Sequence, residues 1–255
     1  MADSLTRRDG LLLWLYWRAM FPLRDSIPSV RRPVVNIVVI GMCTAVFLYE
    51  FMLGPEVEAF VNAFGFVPAR FFNPAAFDVG VSWGLLSLLT SMFMHGGWLH
   101  LIGNMWFLWV FGDNVEDVLG HVGYTLFYLG CGGAAALAQA VVAPDSQVPM
   151  VGASGAIAGV LGAYLVWFPW SRVKTLVFLG IFFTMAELPA PLFLVLWFVV
   201  QFFSGTLALA TVQASTGGVA FFAHIGGFLA GACLAFLLRS TGRVHPRVRS
   251  SSFEG

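Results

Sequence analysis

The chain has 255 residues, of which 59% are hydrophobic and 10% charged, with a mean hydropathy of +0.85. Soluble domains average about 45–50% apolar and about 25% charged residues, so the composition excludes a soluble globular protein. Thirteen basic residues balance thirteen acidic ones, which leaves nucleic-acid binding without an electrostatic footprint.

The distribution of charge sets the expected topology. Arg7, Arg8, Arg18, Arg24, Arg31 and Arg32 precede the first long apolar run, and Arg239, Arg243, Arg247 and Arg249 follow the last. Arg172 and Lys174 share one internal loop, and only Arg70 remains. Basic residues mark the cytoplasmic side, so both termini are expected there, with an even number of spans. Cys43, Cys131 and Cys233 all fall in apolar runs and read as small hydrophobes rather than as a disulfide or metal set. The run LLLWLYW, Leu11 to Trp17, is too short to cross a bilayer and reads as an interfacial anchor rather than a signal peptide.

A span needs about 20 apolar residues. The first is expected at Val34 to Leu53, followed by an outer loop with partial membrane contact up to about Gly80 that holds Glu56, Glu58, Arg70 and Asp78. An interfacial helix up to Met94 and a second span from about Trp98 to Leu119 come next, and a third span from Tyr124 to Ala143. The fourth runs from Ala153 to Phe168. Leu176 to Ala186, as a helix, would measure about 17 Å and could not cross alone, so it reads as a re-entrant or interfacial piece before a fifth span from about Leu192 to Leu207. The sixth extends from about Val219 to Leu238. The expected fold is thus an all-α, six-span bundle over residues 34–238, between a cytoplasmic segment, 1–33, and a cytoplasmic tail, 239–255.

Polar residues in these spans fall into one layer. Ser154 stands 15 residues before Pro169, and His224 stands 15 before Arg239, so each lies about 22 Å above the inner boundary. His100 and Asn104 are 16 and 12 residues before Glu116, or about 24 and 18 Å above it. Ionisable groups at membrane depth are costly, so such a cluster points to function. Gly155 and Gly159 form one GxxxG pair and Gly227 and Gly231 another, with His224 on the face of the second pair. Such faces let backbones approach closely, which would bring Ser154 Oγ within hydrogen-bond reach of His224. The pair suggests a nucleophile and its base. His100, Asn104 and the Ser154 backbone N–H could stabilise an oxyanion; losing one such donor typically costs about 2.7–4 kcal/mol in the barrier. Neither the fourth nor the sixth span contains Asp or Glu, so the arrangement would be a dyad.

Together these residues resemble the rhomboid family of intramembrane serine proteases. GASG holds Ser154, AHIGGFLAG holds His224, and HGGWLHLIGN carries His95, His100 and Asn104 in the family's HxxxxHxxxN spacing. FGDNVED, Phe111 to Asp117, adds to the match, and MFPLRDSIPSVRRP, Met20 to Pro33, is similar to the amino-terminal segment of many bacterial members. The resemblance implies six helices around an outward-opening wet cavity with a Ser154–His224 dyad at its floor. It also implies an oxyanion hole of Ser154 N–H, His100 and Asn104, with His95, Gly152 and Gly155 in support. Substrates would be single-span membrane proteins entering from the bilayer past the fifth span, with Trp197 and Phe198 as gate residues; no cofactor, metal, nucleotide or nucleic acid is implied. Two departures stand out: the first outer loop reads GLLSLLTSMFMH where some members carry a Trp-Arg pair, and Ala158 stands where some place a tyrosine against the catalytic histidine.

Other readings account for fewer residues. A bis-histidine haem protein would use His224 and His100 but leave Ser154 and Asn104 without a task. A proton-coupled transporter usually carries carboxylates within its spans, whereas Asp113, Glu116 and Asp117 sit at a span end. A catalytically dead relative usually lacks the serine or the histidine. No HExxH zinc motif is present, and Gly112-Asp113 lacks the first glycine of a GxGD motif. Glu50 and Glu187 are expected to be solvated or interfacial, and His121 and His245 to be bystanders. The acidic residues Asp3, Asp9 and Asp25 argue against an acid-poor transit peptide, which favours a bacterial inner membrane.

Overall fold

A computed structural model describes residues 20–77, 80–179, 182–199 and 220–244. Leu11 to Trp17, His245 and the outer part of the fifth span lie outside the described residues. Helix dominates. Helix α1 (Val34–Met52) is followed by two short outer helices, α2 (Val57–Phe64) and α3 (Pro68–Phe72), and by α4 (Val81–Thr90), which a 3-10 turn at Ser91–Phe93 extends. Next come α5 (Trp98–Val142), α6 (Ser154–Trp167), α7 (Ala190–Val199) and α8 (Phe221–Ser240). Large apolar side chains face outward on all the long helices, among them Ile37, Met42, Trp109, Leu126, Leu229 and Phe236. So much exposed apolar surface marks a lipid-facing bundle.

Helix α5 is two helical arms joined by a sharp turn at Gly120, whose φ of 69° favours glycine. Both arms return to one residue of α1. Asn36 Nδ2 donates to the Leu108 carbonyl at 2.9 Å, and Tyr124 O–H donates to Asn36 Oδ1 at 2.8 Å. The FGDNVED motif ties the inner end together. The Glu116 carboxylate accepts the backbone N–H of Val35 (2.9 Å) and Asn36 (2.8 Å), and Asp117 accepts those of Val30 and Arg31. Four backbone N–H groups at a helix start lack internal partners, and Glu116 satisfies two of those of α1 from a different span. His121, taken as a bystander, places Nδ1 2.6 Å from the same carboxylate.

The helical bundle carries one addition that the sequence did not suggest. Strand β1 (Met20–Asp25) pairs antiparallel with β2 (Arg172–Leu179), and β2 pairs antiparallel with β3 (Phe182–Pro189). The segment read as a short re-entrant or interfacial helix, Leu176 to Ala186, therefore forms, in its described residues, parts of β2 and β3. Its β-branched and aromatic residues suit a strand. Pro22, which has no N–H to give, sits at a register irregularity of β1, where a strand tolerates it.

The sheet climbs the second span. At its base, Asp25 accepts from Asn114 Nδ2 at 2.7 Å and from the Tyr164 hydroxyl. Higher up, Trp106 Nε1 donates to the Pro22 carbonyl at 2.6 Å, and its ring lies 5.0 Å from that of Phe21. Trp106 is ten residues from Glu116, about 15 Å along the helix. Val173 lies opposite Asp25, and Leu179 opposite Phe182, six residues and about 20 Å further along β2. Polarity changes along these strands rather than across them. Arg24, Arg172, Lys174 and Glu187 mark the base, whereas Phe182, Phe183 and Met185 are 70%, 70% and 62% exposed near the tip. Glu187 is exposed, as expected, and stands 3.9 Å from Arg172.

Candidate active site

Helices α6 and α8 pack through their small residues. An added Cβ on Gly227 would strike the Gly155 carbonyl, and one on Gly231 would lie 2.6 Å from the Gly159 Cα. One on Gly159 would meet Cys131 at 2.5 Å, and one on Gly155 would meet Ala135 at 2.6 Å, so the second arm of α5 closes the same interface. Hydrocarbon offers helices no hydrophobic drive to associate, and close backbone approach at small residues takes its place.

That approach fixes the two reactive groups. Ser154 opens α6, and His224 lies in the first turn of α8, one turn before Gly227. His224 Nε2 stands 2.7 Å from Ser154 Oγ, within the range of a strong hydrogen bond. The bis-histidine reading would need this nitrogen for iron, and it faces the serine instead. Among the described residues no group of three or more His, Cys, Asp or Glu could hold a metal ion.

The connection before α6 brings in the second span. Gly152 has a φ of +131° and donates its N–H to the Ser91 carbonyl at 2.9 Å. An added Cβ there would lie 2.8 Å from His100 Nε2 and Cε1 and 3.6 Å from Ser154 Oγ. Any side chain at 152 would therefore displace the imidazole from its place beside the serine. One turn further along α5, Asn104 is buried, and its Nδ2 has no hydrogen-bond partner among the described residues. A buried amide donor without a partner is costly. It is also the state expected of a donor kept for a bound oxygen.

His95 is buried with its ring edge-on to His100 at 5.2 Å. Its backbone N–H donates to Glu50 Oε2 at 3.1 Å. Glu50, expected to be solvated or interfacial, is not solvated: only 3% of it is exposed, because α1 carries it under the turn that holds His95. Sequence offered one signal for this role, a carboxylate near the end of an apolar run.

Trp197 and Phe198, expected at a gate, lie on α7 against α8. The Trp197 ring is 6.0 Å from that of His224 and 6.2 Å from Phe228, and Phe198 is 4.8 Å from Phe228. The position four residues after the serine, Ala158, is fully buried, and an indole from another span packs on the imidazole.

A model of the rhomboid domain matches residues 82–241, more than half of the chain. The chain belongs to the rhomboid family. This rhomboid is similar to rhomboid-like protein 11, chloroplastic, of Arabidopsis thaliana, with 32% identity over 154 residues, 59% of this chain and 51% of that one. It is 32% identical over 153 residues to rhomboid-like protein 6, mitochondrial, of the same plant, covering 59% and 43%. The mouse presenilin-associated rhomboid-like protein, mitochondrial, is 30% identical over 153 residues, 56% of this chain and 36% of that one. The alignments span about half or less of the length of these curated relatives. Family and apolar helices together make this rhomboid an integral membrane protein.

Proposed function

We propose that this rhomboid is an intramembrane serine endopeptidase that cleaves single-span membrane proteins near the outer membrane boundary. The observation that carries the reading is the 2.7 Å separation of His224 Nε2 and Ser154 Oγ at the outer end of a glycine-lined helix interface. In the proposed reaction His224 Nε2 takes the Oγ proton as Ser154 attacks the scissile carbonyl, and then gives it to the leaving amine. Water hydrolyses the resulting acyl-enzyme by the same proton path in reverse.

The oxyanion would form beside the free N–H of Ser154 at the start of α6, where the positive end of the helix dipole favours negative charge. His100 above Gly152 and the unpartnered Asn104 amide are the side-chain donors. His95 would support His100, while Glu50 holds the turn before it. Trp197 and Phe198 line the side from which a substrate would enter.

The charge pattern supports a topology with both termini on the cytoplasmic side. The named relatives are chloroplastic and mitochondrial and lend no support to a bacterial inner membrane, which rests on the acidic amino-terminal segment alone.

The test is cleavage of a model single-span substrate in liposomes by wild type, Ser154→Ala and His224→Ala. Both variants should be inactive yet folded, and cleavage that survives either change defeats the dyad. Asn104→Ala should lower turnover by about 10²–10³-fold with little change in thermal stability. An unchanged rate removes Asn104 from the oxyanion hole.

A further inference from the structure

We propose that Gln139 is a positioning residue for the histidine of the dyad: its side-chain oxygen caps the start of α8 from the second arm of α5 and keeps wound the turn that carries His224. The inference rests on the proteolytic reading above and says what helps to aim the base where neither α6 nor α8 contains a carboxylate.

The start of α8 is short of acceptors. The first four N–H groups of a helix have no internal partner, and Ser, Thr, Asp or Asn at the cap position usually supplies an oxygen to one of them. Here the cap position is Ala220, which makes no side-chain cap bond. The Ala220 carbonyl is shared between the N–H of Ala223 at 3.1 Å and that of His224 at 3.4 Å. The second contact is long for an N–H···O bond, so the turn that holds His224 is weakly closed from within.

Gln139 supplies what Ala220 lacks. The N–H of Phe222 donates to Gln139 Oε1 at 3.1 Å, across 83 positions of sequence. Phe222 is the second residue of α8, and the N–H at that place is one that a cap side chain ordinarily takes. A backbone N–H left without a partner away from bulk water is costly, so the glutamine oxygen favours the wound turn over a loosened one.

Packing brings Gln139 to this place. An added Cβ on Gly226 would lie 2.3 Å from the Ala138 Cβ and 3.5 Å from the Ala134 carbonyl oxygen. Residues four apart share a helix face. The face of α8 that carries Phe222 and Gly226 therefore meets the face of α5 that carries Ala134 and Ala138, and Gln139 is the polar residue beside that contact. One turn deeper, Gly227 rests on the Gly155 carbonyl. Close glycine packing holds the body of α8, and Gln139 holds its end.

The division of labour has a chemical consequence. His224 is two residues after Phe222 in the same turn, and its Nε2 must stay 2.7 Å from Ser154 Oγ. Loss of the cap loosens that turn and moves the imidazole, while the glycine contacts keep the bundle folded. Gln139 touches no reacting atom and acts through His224.

The test compares wild type with Gln139→Met, which keeps the length of the side chain and removes the acceptor. Hydrogen–deuterium exchange in nanodiscs should quicken about fivefold at the start of α8 and stay unchanged in its second half. A displacement of about 1 Å at a reacting group costs about 10²-fold in rate, and a loosened turn is displaced for part of the time, so kcat should fall about tenfold. The fall should be the same for a single-span membrane substrate and a short soluble peptide, with KM unchanged. Phosphonylation of Ser154 by a fluorophosphonate, in which Oγ displaces fluoride and His224 takes the proton, should slow by the same factor.

Rescue separates a cap from general packing. Gln139→Glu keeps an acceptor oxygen, and Ala220→Ser, added to Gln139→Met, places one at the cap position of α8 itself; at least one of them should recover most of the lost rate. Unchanged exchange at the start of α8, a rise in KM without a fall in kcat, or recovery with neither change would each overturn the proposal. Exchange is read below the melting temperature and without turnover, so it decides the cap even for an inactive variant. Persistent cleavage by Ser154→Ala would instead refute the proteolytic reading, whatever the exchange pattern.

Discussion

Gly227→Ala is the sharpest test of the coupling between helix packing and chemistry. The added methyl would lie 3.0 Å from the Gly155 carbonyl carbon and closer still to its oxygen, whereas non-bonded carbons settle at about 3.5–4.0 Å. Backbone cannot swing aside as a side chain can, so α8 must withdraw from α6 by about 1 Å. His224 is one turn from Gly227, and Ser154 adjoins Gly155, so the retreat acts directly on the dyad. A separation of 2.7 Å becomes about 3.7 Å, beyond hydrogen-bond reach. Misplacement of about 1 Å at a reacting group costs about 10²-fold in rate, while overpacking costs about 1–3 kcal/mol in stability. The assay is cleavage of a single-span substrate in liposomes, read beside a thermal melt of the same preparation. Gly133→Ala is the control, since nothing lies within 4 Å of its added Cβ; it should retain full activity. If Gly227→Ala kept wild-type turnover, the claim that glycine contact sets the serine–histidine distance would be refuted.

Two further outcomes follow from groups outside the dyad. Burial, opposed by the Tyr164 hydrogen bond and reinforced by Asp113, pushes the Asp25 carboxyl up from 3.8 to about 7. The folded state then favours the neutral acid, so this contribution to stability is fully present below about pH 4 and is lost as pH rises through about 7. A shift of about three units corresponds to about 4 kcal/mol at most. Asp25→Asn should flatten the fall in unfolding free energy between about pH 4 and 7, and an unchanged pH dependence in denaturant titrations would exclude Asp25 as its source. At the other end of the bundle, Glu50→Ala should lower kcat about tenfold by releasing the His95 N–H, and Glu50→Gln, which keeps an acceptor oxygen, should restore most of it. Equal losses in the two variants would mean that charge, not the hydrogen bond, matters there.

Much of this was legible in the sequence because helical geometry turns residue number into height. Ser154, His224, His100 and Asn104 could be placed in one layer from distances to Pro169, Arg239 and Glu116, and the GxxxG spacing identified the helices that touch. What stayed hidden depends on contacts between residues far apart in the chain. Nothing local says that Met20–Asp25 pairs with Arg172–Leu179, and a run such as VFLGIFF suits a buried strand or a buried helix equally. Glu50 misled for a related reason. Its carboxylate is buried because a backbone N–H 45 residues away comes to meet it. Gly112 shows the same limit: an added Cβ there would lie 2.7 Å from the Asn36 side-chain amide, a contact that no pattern within FGDNVED reveals.

Trp197 is where the sequence reading and the geometry ask different things of one residue. The resemblance makes it a gate, whereas the structure sets its ring 6.0 Å from the His224 imidazole and 6.2 Å from Phe228. Neither α6 nor α8 contains a carboxylate, so ring packing gains weight in holding the imidazole, and Ala158 cannot supply it. Trp197→Ala separates the roles. As a platform, the indole restrains His224 for every substrate, so its loss should lower kcat about tenfold or more on a membrane substrate and a short soluble peptide alike. As a gate, its loss should speed entry from lipid, raising turnover of the membrane substrate and leaving the peptide unchanged. The ring contact favours the platform. Faster cleavage of the membrane substrate alone would overturn that, and would mean that the imidazole keeps its aim through the backbone contact of Gly227 with Gly155 without help from the indole.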